Sequence, residues 1–134
     1  MRRSRRAFAI ALGGAALCGS IVLFAGAPQA QPAGDATKGE ASFNDVCTQC
    51  HTIGGVAAGP NLAGVVGRKA GASPDYPYTA AMKGSGLTWT PANLERYLAN
   101  PAGVVPGTAM TGVSVPTAAE RANIVAYLAT QKGH

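Results

Sequence analysis

The stretch Cys47-Thr48-Gln49-Cys50-His51 decides how the rest of the chain is interpreted. Two thiols three positions apart, with an imidazole directly after the second, have the spacing of a c-type haem attachment site. On one helical turn both sulfurs can bond the vinyl-derived edges of a single porphyrin, and the next side chain presents a ring nitrogen to the iron. The stretch therefore predicts one haem c, covalently bound through Cys47 and Cys50, with His51 as the proximal ligand.

The second axial ligand has to come from further along the chain, where Met82, Met110 and His134 are the candidates. His134 is the last residue of the sequence, where ordering is costly. A lone methionine usually fills a gap in a core. Met110, however, closes the loop Pro106-Gly107-Thr108-Ala109-Met110, whose backbone proline restricts. With a haem implied upstream, Met110 is the predicted distal ligand, and His/Met ligation favours electron transfer over catalysis because it raises the potential and closes the iron.

Charge is distributed unevenly along the 134 residues, whose formal net charge is +5. Four of the eleven basic residues lie within positions 2–6. Residues 31–134 carry the other seven basic residues and all six acidic ones, which leaves 7 − 6 = +1. A nucleic-acid binder needs a basic stripe to displace counterions from phosphate. The sequence therefore argues against a nucleic-acid partner.

The first thirty residues have the pattern of an export signal, with a basic segment at 2–6 and an apolar segment at 7–27. We expect cleavage after Ala30. The apolar segment is also long enough to span a bilayer as a retained membrane anchor, and that alternative stays open. The predicted organisation is a signal peptide or anchor over 1–30 and a monohaem domain over 31–134, located in the periplasm.

Helix signals divide the second region into a few short elements. The expected fold class is all-α, with three to five helices and long loops wrapped around one covalently bound haem. Residues 52–88 and 101–116 are rich in glycine and proline and read as loops, with a short helix expected around 80–83 and no strand pattern. The other expected helices run from Asp35 to about Cys47, from Thr90-Pro91 to Pro101, and from the capping box at Thr117 to about Gln131.

Many ordered segments of the chain are similar to those of class I c-type cytochromes, of the bacterial cytochrome c2 and mitochondrial cytochrome c group. The resemblance covers Gly34 to about Gln131. The matching stretches are Gly34-Asp35-Ala36-Thr37-Lys38-Gly39, Cys47-Thr48-Gln49-Cys50-His51-Thr52, Gly59-Pro60-Asn61-Leu62, Gly67-Arg68-Lys69, Tyr76-Pro77-Tyr78, Leu87-Thr88-Trp89, Tyr97-Leu98-Ala99-Asn100-Pro101, Pro106-Gly107-Thr108-Ala109-Met110 and Ile124-Val125-Ala126-Tyr127-Leu128.

The resemblance implies roles for residues around the haem. The Pro60 carbonyl would accept the other ring N–H of His51 and fix its tautomer. The haem propionates would need donors, because unpaired buried carboxylates are costly. The implied propionate-binding residues are Arg68, Tyr78 and Trp89, and Tyr97 and Thr108 would hydrogen-bond around the methionine side and a propionate.

Three departures from the group affect the expected site. Met82 stands where mitochondrial relatives carry an asparagine near the propionates, and Thr111-Gly112 stands where an aromatic residue usually covers the haem edge. The lysines that ring the haem edge in mitochondrial relatives are largely missing, and the segment before Met110 reads Pro101-Ala102-Gly103-Val104-Val105. A weakly charged, more apolar docking surface is therefore expected, in keeping with small transient redox interfaces.

The resemblance implies an electron-transfer protein, not an enzyme. We expect a monomeric one-electron carrier, soluble or tethered through residues 7–27, whose redox partners are a cytochrome bc1-type complex, a terminal oxidase, a reaction centre or a dehydrogenase. One alternative is an electron-transfer subunit of a dehydrogenase or a peroxidase-type haem enzyme, but no distal His or Glu stands in a suitable place. Another is a zinc module using Cys47, Cys50, His51 and His134, in which adjacent Cys50 and His51 fit a tetrahedral site poorly.

Overall fold

The computed structural model describes residues 33–133. The predicted leader over 1–30, the proposed cleavage site and His134 lie outside this range. Within it, regular structure is helical apart from a single antiparallel bridge between Lys69 and Thr88, in agreement with the all-α expectation. The helices are α1 (Ala36–Ser42), continued by a π-helical turn (Phe43–Cys47), then α2 (Ala80–Gly84), α3 (Pro91–Ala99), α4 (Pro101–Val104) and α5 (Ala118–Thr130).

Side-chain caps start the helices where the sequence predicts them. The Asp35 carboxylate accepts hydrogen bonds from the backbone amides of Thr37 and Lys38, at 3.0 and 3.2 Å. The hydroxyls of Thr90 and Thr117 each accept from the amide three residues on, both at 3.2 Å. These bonds satisfy amides that have no partner inside a first helical turn.

The segment 101–116 differs from the expected loop because it begins with α4. Asn100 ends α3, and its side-chain oxygen accepts from the Gly103 amide at 3.0 Å, which caps a new helix. Pro101 then occupies the first position of that helix, where its missing N–H costs nothing. Helix α5, which follows this segment, stops at Thr130, one residue before its expected end at about Gln131.

Helices α1 and α5 cross in close contact, as the position of Gly39 on the inner face of α1 suggests. A Cβ atom at Gly39 would collide with the Asn123 carbonyl and lie 2.9 Å from the Tyr127 Cβ. Phe43 and Tyr127 add an aromatic contact, with ring centroids 5.2 Å apart. This crossing fixes the end of the π-helical turn, where the cysteine motif begins.

The core lies between α3, α5 and the loops. Phe43 and Ile124 are fully buried, and the inner face of α3 is buried throughout at Leu94, Tyr97 and Leu98. On α5, Leu128 is buried and Tyr127 remains partly exposed. The longest helix within 33–133 has 13 residues, and none in that range has the length and apolar character to cross a bilayer.

Candidate functional site

A cavity of about 230 Å³ opens beside the cysteine motif, between α3, α5 and the loops that precede and follow them. Its walls are mostly apolar, and no charged side chain lines it among the residues that the structure describes. Nine of the ten residues singled out from the sequence line this one cavity, namely Cys47, Cys50, His51, Pro60, Tyr78, Trp89, Tyr97, Thr108 and Met110.

The orientation of His51 is fixed by a hydrogen bond. Its Nδ1 lies 2.9 Å from the Pro60 carbonyl oxygen. Because a carbonyl can only accept, Nδ1 carries a proton, and in the neutral imidazole Nε2 then keeps its lone pair for a metal. Such a contact to the other ring nitrogen is the usual way in which a protein orients a metal-binding imidazole. The structure contains the His51–Pro60 contact that the resemblance implied.

Gly59 makes room for this imidazole, a role that was not anticipated from the sequence. A Cβ atom at Gly59 would lie 2.5 Å from Cε1 and 2.7 Å from Nδ1 of His51. The Gly59 amide also donates to the Cys50 carbonyl at 2.6 Å, so the backbone of the loop lies directly against the ring. The signal for it was available, because Gly59 immediately precedes the Pro60 that accepts from His51.

Both thiols of the motif are free and belong to the same turn. The amides of Cys50 and His51 donate to the Cys47 carbonyl at 3.1 and 2.8 Å, which winds the motif tightly. Cys50 is exposed, whereas Cys47 is half-buried. Burial raises the pKa of the Cys47 thiol to about 11, and the charge of Glu120 adds to this effect. The Cys47 thiol is therefore protonated and neutral at neutral pH, available to form a thioether.

Two hydroxyl groups, those of Tyr97 and Thr108, hold the backbone of Met110 in place. The hydroxyls of Tyr97 and Thr108 lie 2.5 Å apart, and the Thr108 oxygen accepts from the Met110 amide at 3.2 Å. Burial raises the pKa of the Tyr97 hydroxyl, so it stays protonated at neutral pH. Met82 also lines the cavity and is buried. The structure thus brings two of the three candidate distal ligands to the cavity, and the third, His134, lies outside the described residues.

Arg68 is the predicted site residue that does not line the cavity. Its guanidinium donates to the backbone carbonyls of Asn61 and Ala63, at 2.7 and 3.0 Å. The positive charge of Arg68 nevertheless acts on Tyr78. Burial raises the pKa of the Tyr78 hydroxyl, and the charge of Arg68 reduces that increase. Arg68 therefore stabilises the loop behind the cavity and acts on Tyr78 through its charge.

Tyr76 is a second residue whose contact was not anticipated. Its hydroxyl donates to the Ala58 carbonyl at 3.0 Å and so joins two loops that line the cavity. The same ring packs edge-on against Tyr78, with centroids 4.9 Å apart. Trp89 and Tyr97 form another aromatic contact at 4.9 Å. The contact between Tyr76 and Ala58 joins residues 18 apart in the chain, so no local pattern in the sequence indicates it.

The residues present fit a haem. Two cysteines, a histidine and a methionine all line one apolar cavity, which suits a flat macrocycle attached by two bonds. Nitrogen and thioether donors also match the ligands that iron takes in electron-transfer haems. No three His, Cys, Asp or Glu side chains within 33–133 are placed to hold a metal ion, and His134, the fourth residue of the zinc alternative, lies outside that range.

Comparisons with known proteins agree with this site. The chain matches the family described as Cytochrome c over residues 36–132. It is 46% identical over 131 residues to a cytochrome c2 of Rhodomicrobium vannielii, covering 96% of this chain and 98% of that one. It is 48% identical over 98 residues to the cytochrome cy of Rhodobacter capsulatus, covering 72% of this chain and 49% of the relative. Among solved structures, cytochrome cH from Methylobacterium extorquens superposes with a TM-score of 0.70 at 43% identity, covering 72% of this chain and 99% of that one.

Proposed function

The chain belongs to the cytochrome c family, and we propose that it carries single electrons through one haem whose iron is bound by His51 and Met110. As a class I c-type cytochrome it is an electron carrier and not an enzyme, with one haem c attached covalently through Cys47 and Cys50. The haem supplies the one-electron couple. The residues of the chain hold it, orient its ligands and exclude water.

The assignment of His51 as proximal ligand rests on its fixed tautomer. The Pro60 carbonyl accepts a hydrogen bond from Nδ1, with 2.9 Å between the nitrogen and the oxygen, and the ring occupies the space that a Cβ at Gly59 would fill. The ring therefore stays in one orientation in both oxidation states. A ligand that does not reorient keeps the reorganisation that accompanies electron transfer small.

The assignment of Met110 as distal ligand is the central part of the proposal, and one observation carries it. Met110 lines the same cavity as the cysteine motif, on a loop fixed by the hydroxyl of Thr108. Thr108 is buried and is itself bound to Tyr97. A thioether favours ferrous over ferric iron, so this ligand would raise the reduction potential and leave no open position for peroxide or oxygen.

The polar residues of the cavity are proposed to hold the haem propionates. Tyr78 and Trp89 both line the cavity, and their hydroxyl and indole N–H are able to donate hydrogen bonds. Arg68 contributes its charge from behind the loop, as its effect on the pKa of Tyr78 indicates. A buried carboxylate needs such donors or a nearby positive charge, because its desolvation is costly otherwise.

The proposed location is the periplasm, where the carrier would exchange electrons with membrane-bound redox complexes. Cytochrome c2 and cytochrome cy of other bacteria are similar to the chain over 96% and 72% of its length. The candidate partners are a cytochrome bc1-type complex, a terminal oxidase, a reaction centre or a dehydrogenase, and contact is transient. A tether through residues 7–27 is the alternative to a freely diffusing form.

Replacement of Met110 tests the ligand assignment. In the holoprotein, Met110→Ala should lower the reduction potential and allow external imidazole or cyanide to bind, because the sixth position opens. Met82→Ala is the matched control, since Met82 lines the same cavity and should keep the potential and ligand exclusion close to those of the wild type. If the visible spectrum, the potential and ligand exclusion of Met110→Ala equal those of the wild type, Met110 is not a ligand.

A further inference from the structure

Charged side chains are absent from the two stretches of the chain that form the mouth of the cavity. Residues 46–67 and 97–119 contain no Asp, Glu, Lys or Arg. The seven basic and six acidic residues of the region after position 30 all fall in 35–45, 68–96 and 120–132. Both uncharged stretches contribute walls to the cavity, the first through the cysteine motif and the second through the Met110 loop.

The mouth can be located from residues that both line the cavity and are exposed to solvent. Two come from the first stretch, Cys50 and Ala58, and two from the second, Ala109 and Thr111. Val56 precedes Ala58 by two residues on the same loop and, at 48%, is the exposed large hydrophobic side chain of the described region. We call this surface the uncharged collar, and its residues are Cys50, Val56, Ala58, Ala109 and Thr111.

Charged residues flank the cavity walls in sequence without lining them. Asp45 stands beside Val46, Asp75 beside Tyr76 and Lys83 beside Met82, and all three are exposed. The charge of Glu120 contributes to the raised pKa of the Cys47 thiol, and Glu120 does not line the cavity either. The collar itself carries no charged side chain.

We propose that redox partners dock on the uncharged collar through a face that is itself uncharged and apolar. The reason is complementarity of charge, because a partner's acidic or basic patch would lose its hydration against the collar and gain no opposite charge. An apolar face loses no such hydration, and burial of Val56 adds a favourable contribution. The proposal rests on the proposed function and specifies the chemistry of its partner.

The collar also determines how association should depend on salt. Charged docking faces steer encounter, and their rates fall as ionic strength rises. An uncharged pair has no steering to lose, so its association rate should be in the range of about 10⁵–10⁶ M⁻¹s⁻¹ at any salt concentration. A small interface, below about 1,200 Å², permits the rapid dissociation that a shuttle needs.

A kinetic experiment tests the docking face with membranes of the source organism as the partner. The reduced holoprotein is mixed with those membranes, and haem oxidation is followed at increasing salt. Between roughly 10 and 300 mM salt we expect the rate to change by less than about twofold. A change of about tenfold or more would overturn the proposal, because it would reveal a charged docking face.

Three variants separate the collar from the rest of the surface. Val56→Lys places a charge on the collar and should slow oxidation by membranes about fivefold or more at every salt concentration, because the ammonium must be desolvated. Val56→Thr keeps the size and the lack of charge but is less apolar, so it should slow oxidation much less than Val56→Lys does. Ala129→Lys adds the same charge at an exposed position of α5 and should stay within about twofold of the wild type. Equal rates for Val56→Lys and Ala129→Lys would overturn the proposal.

Oxidation by ferricyanide distinguishes failure of the docking proposal from failure of the proposed function. In this reaction one ferrous haem gives one electron to one ferricyanide ion, which becomes ferrocyanide. A holoprotein that reacts with ferricyanide but shows steep salt dependence with membranes remains an electron carrier that lacks the proposed docking face. A holoprotein that exchanges no electrons with ferricyanide would contradict the carrier function itself.

Discussion

At the scale of single residues, the site depends on what lies immediately around His51 and Met110. Pro60 fixes the imidazole tautomer, and Thr108 ties the Met110 backbone to a buried hydroxyl pair. Gly59 contributes by having no side chain, since the space that a Cβ would fill is occupied by the His51 ring. The geometry of the two proposed ligands is thus held by neighbouring residues that are not themselves proposed ligands.

Gly59→Ala tests this dependence. A Cβ 2.5 Å from the ring forces the imidazole or the loop to move, so we expect the free energy of unfolding to fall by about 1–3 kcal/mol. The visible spectrum should show weakened histidine ligation. Denaturant unfolding of the holoprotein and absorption spectroscopy would measure both effects.

Gly55→Ala is the matched control for that change on the same loop. Its Cβ would meet only the flexible Thr52 hydroxyl, at 3.3 Å, and we expect an effect within about 0.5 kcal/mol. If Gly59→Ala is as stable and as normally ligated as Gly55→Ala, the imidazole is not confined by the loop.

At the scale of secondary-structure elements, the crossing of α1 and α5 positions the cysteine motif. The two helices approach so closely that the Gly39 backbone lies against the Asn123 carbonyl, and the Asn123 side chain in turn accepts from the Asp35 amide at 2.8 Å. The π-helical turn that follows α1 carries Cys47 from this crossing to the cavity. Both ends of the described chain therefore support the haem attachment site.

Gly39→Ala should loosen this crossing. Its Cβ would collide with the Asn123 carbonyl, which is backbone and cannot rotate away, so we expect a loss of about 1–3 kcal/mol in the free energy of unfolding. Gly84→Ala is the control within α2, where a Cβ meets no atom within 4 Å and alanine should be neutral or slightly stabilising. Thermal or denaturant unfolding of both variants measures the difference. A Gly39→Ala protein as stable as Gly84→Ala would contradict the close crossing.

At the scale of the whole molecule, the distribution of charge differs between the proposed leader and the rest of the chain. The complete chain carries a formal +5, and residues 31–134 carry +1. The difference is due to the four arginines near the amino terminus. If residues 1–30 are the leader, export and docking use different parts of the chain, because the basic charge lies in the proposed leader and the proposed docking surface is uncharged.

The mass of the protein, isolated from the membrane and periplasmic fractions of its source cells, tests whether residues 1–30 are removed. Cleavage after Ala30 should give a periplasmic protein whose mass equals residues 31–134 plus one haem that acid acetone does not extract. A retained leader should instead place the full chain, with its four additional arginines, in the membrane fraction. Intact mass spectrometry after fractionation distinguishes the two, and a mass lacking haem would contradict covalent attachment.

The sequence by itself determined the features that arise between near neighbours in the chain. The haem attachment motif, the caps at Asp35, Thr90 and Thr117 and the uncharged stretches are local, because each depends on residues a few bonds apart. Apart from α4, which lies in an expected loop, the helices could be placed for the same reason, to within a residue or two of their ends. The choice of Met110 came from a rigid loop after a haem motif, and its ligation stays a prediction.

Only the tertiary structure decided which distant segments meet. It placed Arg68 behind the loop and out of the cavity. There the guanidinium donates hydrogen bonds to the backbone carbonyls of Asn61 and Ala63. The tertiary structure also joined Tyr76 to Ala58, and set Gly59 against His51. These contacts depend on the way in which the long, glycine-rich loops fold back on the core. The conformation of such a loop is determined by the sum of many packing contacts and hydrogen bonds, and a local sequence pattern does not contain that information.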